Sequence, residues 1–263
     1  MQRLQIFVKK SKKFSSVFYI DKICALGYNK AIEISFGRCF DMKIKKIAPS
    51  MMCCDIFDLK NQVETFEKEG IELLHIDIMD AHFVPNITLG TDYVKNIKGA
   101  TSIPLDIHLM VEDPERLIPM LTFGEGDYVS VHAESTRHIT KCLQMIKERG
   151  ARALLALNPA TPLSCADEVI PYIDGLLIMT VNPGFAGQKM VEGALDKIAR
   201  AKAYLENKGI GDAEIEVDGN VSFENSILMS RAGADIFVAG TSSVFHKDYD
   251  LTDAIAKIRE CVK

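Results

Sequence analysis

The chain has no C-x-x-C pair, no apolar run near the ~20 residues needed to span a bilayer, and no excess of basic residues. The first absence removes a zinc knuckle. The seven cysteines (Cys24, Cys39, Cys53, Cys54, Cys142, Cys165 and Cys261) are odd in number and scattered, so they read as reduced thiols rather than a disulfide framework. The second absence leaves no membrane partner. The third, a net charge of -5, gives no reason to expect nucleic acid or an anionic surface. No clean apolar core followed by a small-residue cleavage site occurs near the start, which excludes a secretory signal. What is present, 263 residues of which 48% are hydrophobic and 25% charged, is ordinary for a globular chain and fits one α/β barrel or two smaller domains.

Residues 1–41 differ from the rest. Arg3, Lys9, Lys10, Lys12, Lys13, Lys22, Lys30 and Arg38 stand against Asp21, Glu33 and Asp41; eight against three gives +5 and leaves -10 for the remainder. The expectation is a poorly structured basic extension or a segment upstream of the true start, since Met42 sits just before the first strand-like stretch. An organelle transit peptide is the other reading, and a cytoplasmic location is favoured. Residues 42–263 are read as one catalytic domain.

From Met42 the pattern alternates. Apolar strand candidates fall at 44–51, 73–79, 105–111, 128–133, 152–157, 175–181, 214–218 and 235–239. Helix candidates lie at 58–69 (ended by Gly70), after Asp113-Pro114 with Asp113 as N-cap, and at 135–149, 190–208, 222–231 and 250–262. Eight strand–helix units without a linker predict a single (β/α)₈ TIM barrel. A doubly wound open sheet is the alternative.

In such a barrel, chemistry collects at the C-terminal ends of the strands. Strand periodicity puts His75, Asp77 and Met79 on one face, and His108 and Met110 on one face of the next strand. Asp218 closes the seventh strand. Buried carboxylates are costly unless paired or coordinated, so Asp77 and Asp218 require a partner, and a divalent cation shared with His75 and His108 supplies one. Two imidazoles and two carboxylates suit Zn²⁺, Fe²⁺, Mn²⁺ or Co²⁺. Met79, Met110 and Met179 are expected to form a weakly polar wall. His82, His132, His138 and His246 are read as structural or surface residues, with His132 a candidate for the rim. Asp80 and Asp106 are expected to face away from the metal set. A second site follows from glycines: Gly184 to Gly187 with Phe185 and Ala186 between them, Gly219 with Asn220, and Gly240 with Thr241 let backbone N–H groups approach an anion. The hydroxyls of Thr241, Ser242 and Ser243 add donors. A phosphorylated substrate is the implied partner.

The blocks HIDIMDAHFVPNITLG (75–90), DIHLMVEDPE (106–115), MTVNPGFAGQ (179–188) and EVDGNV (216–221) resemble the signature motifs of the ribulose-phosphate 3-epimerase family, over about 45 to 260. The resemblance implies a ribulose-phosphate-binding barrel and a homo-oligomer. It also implies a divalent metal on His75, Asp77, His108 and Asp218, with Asp77 and Asp218 as the acid–base pair, Ser50 at the substrate, and the glycine positions above at the phosphate. Epimerisation at C3 of a 2-ketose fits these residues, because it removes a proton beside a carbonyl and returns one to the opposite face. Asp80-Ala81-His82 for D-G-H and Asp218-Gly219-Asn220 for D-G-G depart from the usual pattern, and Pro49-Ser50-Met51-Met52-Cys53, the long 190–209 helix leading into Glu214-Ile215-Glu216-Val217-Asp218, and Ala239-Gly240-Thr241-Ser242 are similar to the allulose-6-phosphate 3-epimerase branch. The expectation therefore leans to D-allulose 6-phosphate/D-fructose 6-phosphate, with D-ribulose 5-phosphate/D-xylulose 5-phosphate as the alternative and a non-catalytic phosphosugar-binding barrel as the remoter one. The decarboxylases and aldolases of similar barrels resemble D-x-K-x-x-D, and Met79 at the lysine position argues against that chemistry.

Overall fold

The computed structural model describes residues 44–263. The expected basic extension, 1–41, lies outside the described residues. Strands β1 (Lys46–Pro49), β2 (Leu74–Asp80), β4 (Leu105–Met110), β5 (Tyr128–His132), β6 (Arg152–Leu157), β7 (Gly175–Met179), β8 (Glu214–Asp218) and β9 (Ile236–Ala239) pair in parallel. The order β1-β9-β8-β7-β6-β5-β4-β2 closes through a parallel bridge between Ser50 and His75. This is the expected (β/α)₈ barrel. A two-residue strand, β3 (Ile87–Thr88), folds back antiparallel on the end of β2.

The helices α1 (Leu59–Lys68), α2 (Thr91–Ala100), α3 (Pro114–Leu117), α4 (Ile139–Lys147), α5 (Ala194–Asn207), α6 (Phe223–Ala232) and α7 (Leu251–Cys261) surround the strands. Gly70 ends α1 at φ +64°, and Ser222 caps α6 by accepting from Asn225 N at 3.1 Å, as the sequence indicated. The helices differ from the sequence pattern in several places. The α2 helix had no clear sequence signal. The helix at Asp113-Pro114 lasts one turn, because Pro119 cannot supply the N–H that an α-helix needs, and the chain passes into a 3₁₀ turn at Ile118–Met120. Asp113 precedes it at φ +48° with no side-chain cap. Between β6 and β7, Pro162 and Pro171 confine the chain to 3₁₀ turns, and α5 starts only after Gly193 at φ +83°.

The main apolar core lies between barrel and helices, around Phe66, Ile107, Leu143, Ile198 and Phe237. The barrel interior is different. One parity of each strand points inward, and at the bottom it brings Lys46 Nζ 2.6 Å from Glu214 Oε1, with Tyr128 Oη donating to Glu214 Oε2 at 2.8 Å. Arg152 joins at 3.2 Å. Ala48, Leu73, Leu154 and Ile236 pack with Tyr128. His75, Asp106, Ser130 and Glu216, all fully buried, come next along the same inward parity.

Two non-glycine residues adopt left-handed backbone where the family pattern places glycine: Ala81 at φ +63° and Asn220 at φ +47°. Asparagine tolerates this region, whereas alanine is strained by its Cβ. Ala81→Gly is therefore expected to raise unfolding stability by about 0.5–1 kcal/mol, after subtracting glycine's greater freedom in the unfolded chain. Urea unfolding of the two proteins checks it; a loss of stability would contradict the strain.

Candidate functional site

The inward parity that builds the barrel interior also delivers the chemistry to its mouth. In-register pairing sets Asp77 beside His108, Met79 beside Met110, and Met179 beside Asp218. One ligand atom from each of His75, Asp77, His108 and Asp218 falls within a 4.8 Å sphere of mutual distances. His75 Nε2 is 3.2 Å from Asp77 Oδ1, and His108 Nδ1 is 3.4 Å from Asp77 Oδ1 and 3.5 Å from Asp218 Oδ2. Ser50 donates to the other Asp77 oxygen at 2.7 Å. Asp77 thus turns one oxygen to the cluster and one to Ser50.

The donor set fits a divalent cation. His108 Nδ1 is buried without a hydrogen-bond partner although it points between two carboxylates, the arrangement a shared cation resolves. Burial disfavours charge on both rings, yet Asp77 and Asp106 hold His75 well above its ordinary pKa, and Asp218 and Asp77 raise His108. Burial would likewise raise Asp77, but His75 and His108 hold it well below the carboxylate range. The pocket therefore selects for positive charge among its carboxylates, and a bound metal would supply that charge while leaving the imidazoles neutral.

Below the cluster lies a layer that the sequence reading placed elsewhere. Asp106 does not face away: it shares parity with His108, is fully buried, and its Oδ2 is 2.6 Å from His75 Nδ1. Glu216 stands in the same relation to Asp218, with Oε1 3.3 Å from His75 Nδ1; burial and the neighbouring Asp106 push its pKa well above the usual range. Parity alone could have revealed both. Asp80 does turn away, accepting from the backbone N–H groups of His82, Phe83 and Glu112. His132 is not a surface residue but fully buried, stacked on His108 with ring centroids 5.0 Å apart. Burial lowers its pKa to about 4.

Met79, Met110 and Met179 line the cleft above the cluster, as does Met52, which the sequence reading did not single out. Cys53 also lines it; burial and then Asp77 push its thiol up to about 11, so it stays protonated. The expected glycine positions, Gly184 to Gly187, Gly219, Asn220, Gly240 and Thr241, line the same cleft with Ser242. Ser243 does not, being fully buried. The loop 182–188 is braced by Gln188 Nε2, which donates to Asn182 O and Phe185 O at 2.6 and 2.9 Å, and by Asn86 Nδ2, which donates to Gly184 O at 2.8 Å. Cleft, cluster and glycine loops thus form one site.

The model of the ribulose-phosphate 3 epimerase family matches residues 46–245. Ribulose-phosphate 3-epimerase of Bacillus subtilis (strain 168) is 44% identical over 214 residues, covering 81% of this chain and 98% of that protein. Ribulose-phosphate 3-epimerase of Escherichia coli (strain K12) is 38% identical, covering 79% and 92%. The chloroplastic ribulose-5-phosphate-3-epimerase of Arabidopsis thaliana is 40% identical, covering 77% and 73%. Among solved structures, 3-hexulose-6-phosphate synthase of Salmonella typhimurium aligns with a TM-score of 0.60 at 16% identity, covering 82% of this chain and 98% of that one, which supports the barrel fold alone.

Proposed function

The chain belongs to the ribulose-phosphate 3-epimerase family and is a carbohydrate-phosphate isomerase, and from that premise we propose that it interconverts D-ribulose 5-phosphate and D-xylulose 5-phosphate through residues 42–263. The observation that carries this reading is the pair Asp77 and Asp218 on β2 and β8, with ligand atoms within 4.8 Å of the two histidines, beneath a glycine-lined phosphate cleft. The names of the relatives above support the pentose phosphate. The expected preference for D-allulose 6-phosphate finds no support in them, although the Asp80-Ala81-His82 and Asp218-Gly219-Asn220 departures are present.

His75, Asp77, His108 and Asp218 would hold the divalent metal. When bound, it supplies positive charge near the enediolate that forms as C3 loses its proton. The residues do the rest. One carboxylate takes the C3 proton, the ketose becomes an enediolate, and the other carboxyl returns a proton to the opposite face of C3. Ser50 fixes Asp77 through its second oxygen. Met52, Met79, Met110 and Met179 present no N–H or O–H to the reacting carbon and exclude water, so the enediolate is protonated only by the facing acid. Backbone N–H groups of the glycine loops and the hydroxyls of Thr241 and Ser242 receive the phosphate, which sets C3 between the carboxylates. No helix among the described residues is long and apolar enough to cross a membrane.

The test is to assay D-ribulose 5-phosphate and D-allulose 6-phosphate side by side, with chelator-stripped protein and with Zn²⁺, Fe²⁺, Mn²⁺ or Co²⁺ added back. The expected result is preferred turnover of the pentose phosphate, lost on stripping and restored by a divalent ion, with one metal per chain by elemental analysis. Preference for the hexose phosphate would restore the sequence-based expectation. Turnover of neither substrate by metal-loaded protein would leave a phosphosugar-binding barrel.

A further inference from the structure

His132 contacts the metal set but takes no part in the proton transfers. Its Nε2 lies 2.8 Å from His108 Nε2, inside a fully buried contact. Two ring nitrogens at that separation share one proton, so one donates and the other accepts. The next residue outward decides which. His132 Nδ1 lies 3.3 Å from Glu134 Oε2, and the Glu134 carboxylate can only accept. In a neutral His132 the proton therefore sits on Nδ1, and Nε2 is left as a lone pair. His108 must then donate through its own Nε2–H, which leaves His108 Nδ1 bare. That is the atom lying 3.4 Å from Asp77 Oδ1 and 3.5 Å from Asp218 Oδ2.

We infer that Glu134 and His132 are positioning residues that set the tautomer of His108, so that its Nδ1 lone pair is presented to the metal position. The inference rests on reading His75, Asp77, His108 and Asp218 as the metal site. The relay is built, not incidental. Phe83 lies against the His132 ring at 4.7 Å between centroids. The far oxygen of Glu134, Oε1, accepts from Asn158 N at 2.9 Å and from Thr161 Oγ1. His75 is oriented on its far side by Asp106, a carboxylate placed directly on the ring. His108 differs: its orienting carboxylate acts through a second imidazole, so the sense of two hydrogen bonds must be right rather than one.

That dependence gives an unusual test. In Glu134→Gln the side chain keeps its size, but Asn158 N–H and Thr161 Oγ1 require the amide oxygen at the Oε1 position. The amide NH₂ is then forced toward His132 Nδ1. His132 must accept there and carry its proton on Nε2, which donates to His108 Nε2 and moves the His108 proton onto Nδ1, the wrong atom for a ligand. Glu134→Ala removes the same negative charge but leaves His132 free to keep either tautomer.

The experiment titrates Co²⁺ into chelator-stripped parent, Glu134→Gln and Glu134→Ala proteins, and records ¹⁵N–¹H spectra of their histidine rings without metal, at a pH high enough that His108 carries a single proton. We expect Glu134→Gln to weaken Co²⁺ binding by about 10- to 100-fold, the range of an outer partner of a ligand histidine, and to do so more than Glu134→Ala. The His108 proton should sit on Nε2 in the parent and on Nδ1 in Glu134→Gln. Equal losses in both variants would assign the effect to charge alone and overturn the relay, as would a His108 proton on Nε2 in Glu134→Gln. Failure of the parent itself to bind Co²⁺ would overturn the metal reading instead, while the ring spectra still decide the tautomer.

Discussion

Asp77→Asn and Asp218→Asn should each lower turnover of D-ribulose 5-phosphate by at least about 10³-fold at saturating metal, with the fold intact by circular dichroism. The amide keeps the shape and, at position 77, an acceptor for Ser50 Oγ. It cannot take a proton from carbon, and as a ligand it lacks the negative charge that faces His75 and His108. The two losses are separable by isotope exchange in D₂O. If Asp77 and Asp218 work on opposite faces of C3, each single variant still exchanges the C3 hydrogen of one epimer and not the other, without interconverting them. Exchange of both epimers by either variant, or turnover within about tenfold of the parent, would sink the two-carboxylate scheme.

Gly219→Ala should damage both the fold and the site, although it adds a single methyl group. Gly219 sits at φ +113°, and a Cβ there would lie 2.6 Å from Val181 Cγ2 and 2.9 Å from Val181 N. The neighbouring backbone cannot yield cheaply, because Thr180 N donates to Asp218 O at 2.7 Å and the Thr180 hydroxyl donates to Asp218 O and Gly219 O. We expect a loss of about 2–4 kcal/mol in unfolding free energy, from backbone strain plus overpacking. Any relief of the clash displaces Asp218 and the glycine-lined cleft together, so kcat/KM should fall by at least about 10²-fold even where the protein stays folded. Chemical denaturation and steady-state kinetics measure both. Adding Val181→Ala removes the side-chain part of the clash and should recover part of the stability but not all, since the contact with Val181 N and the positive φ remain. Full stability in Gly219→Ala alone would show that this turn is not constrained as the structure indicates.

Much of this was legible in the chain because it depends on near neighbours. Period-two alternation assigned His75, Asp77 and Met79 to one face, and the same rule, applied to Asp106 and Glu216, would have found the layer that orients His75. Glycine after the late strands marked the cleft proposed to hold the phosphate, since positive φ at Gly184, Gly187 and Gly219 is a local property. The proline that shortens the helix after Pro114, Pro119, was visible too, whereas α2 carried too weak a pattern to declare itself. Substrate choice was not legible: Ala81 and Asn220 hold the left-handed backbone that the family gives to glycine, so those departures conserve the turn.

The sequence by itself determined the barrel, the four ligand candidates and the face on which they meet, because strand parity and burial are properties of each segment alone. Tertiary structure decided the rest. His132 and Glu134 became a tautomer relay only when β4 and β5 paired and placed one ring 2.8 Å from the other. Asp77 and Asp218, 141 positions apart in the chain, became partners only when Ser50 bridged to His75 and closed the sheet. Distances between groups on different strands follow from closure and register, and no local pattern of residues encodes them.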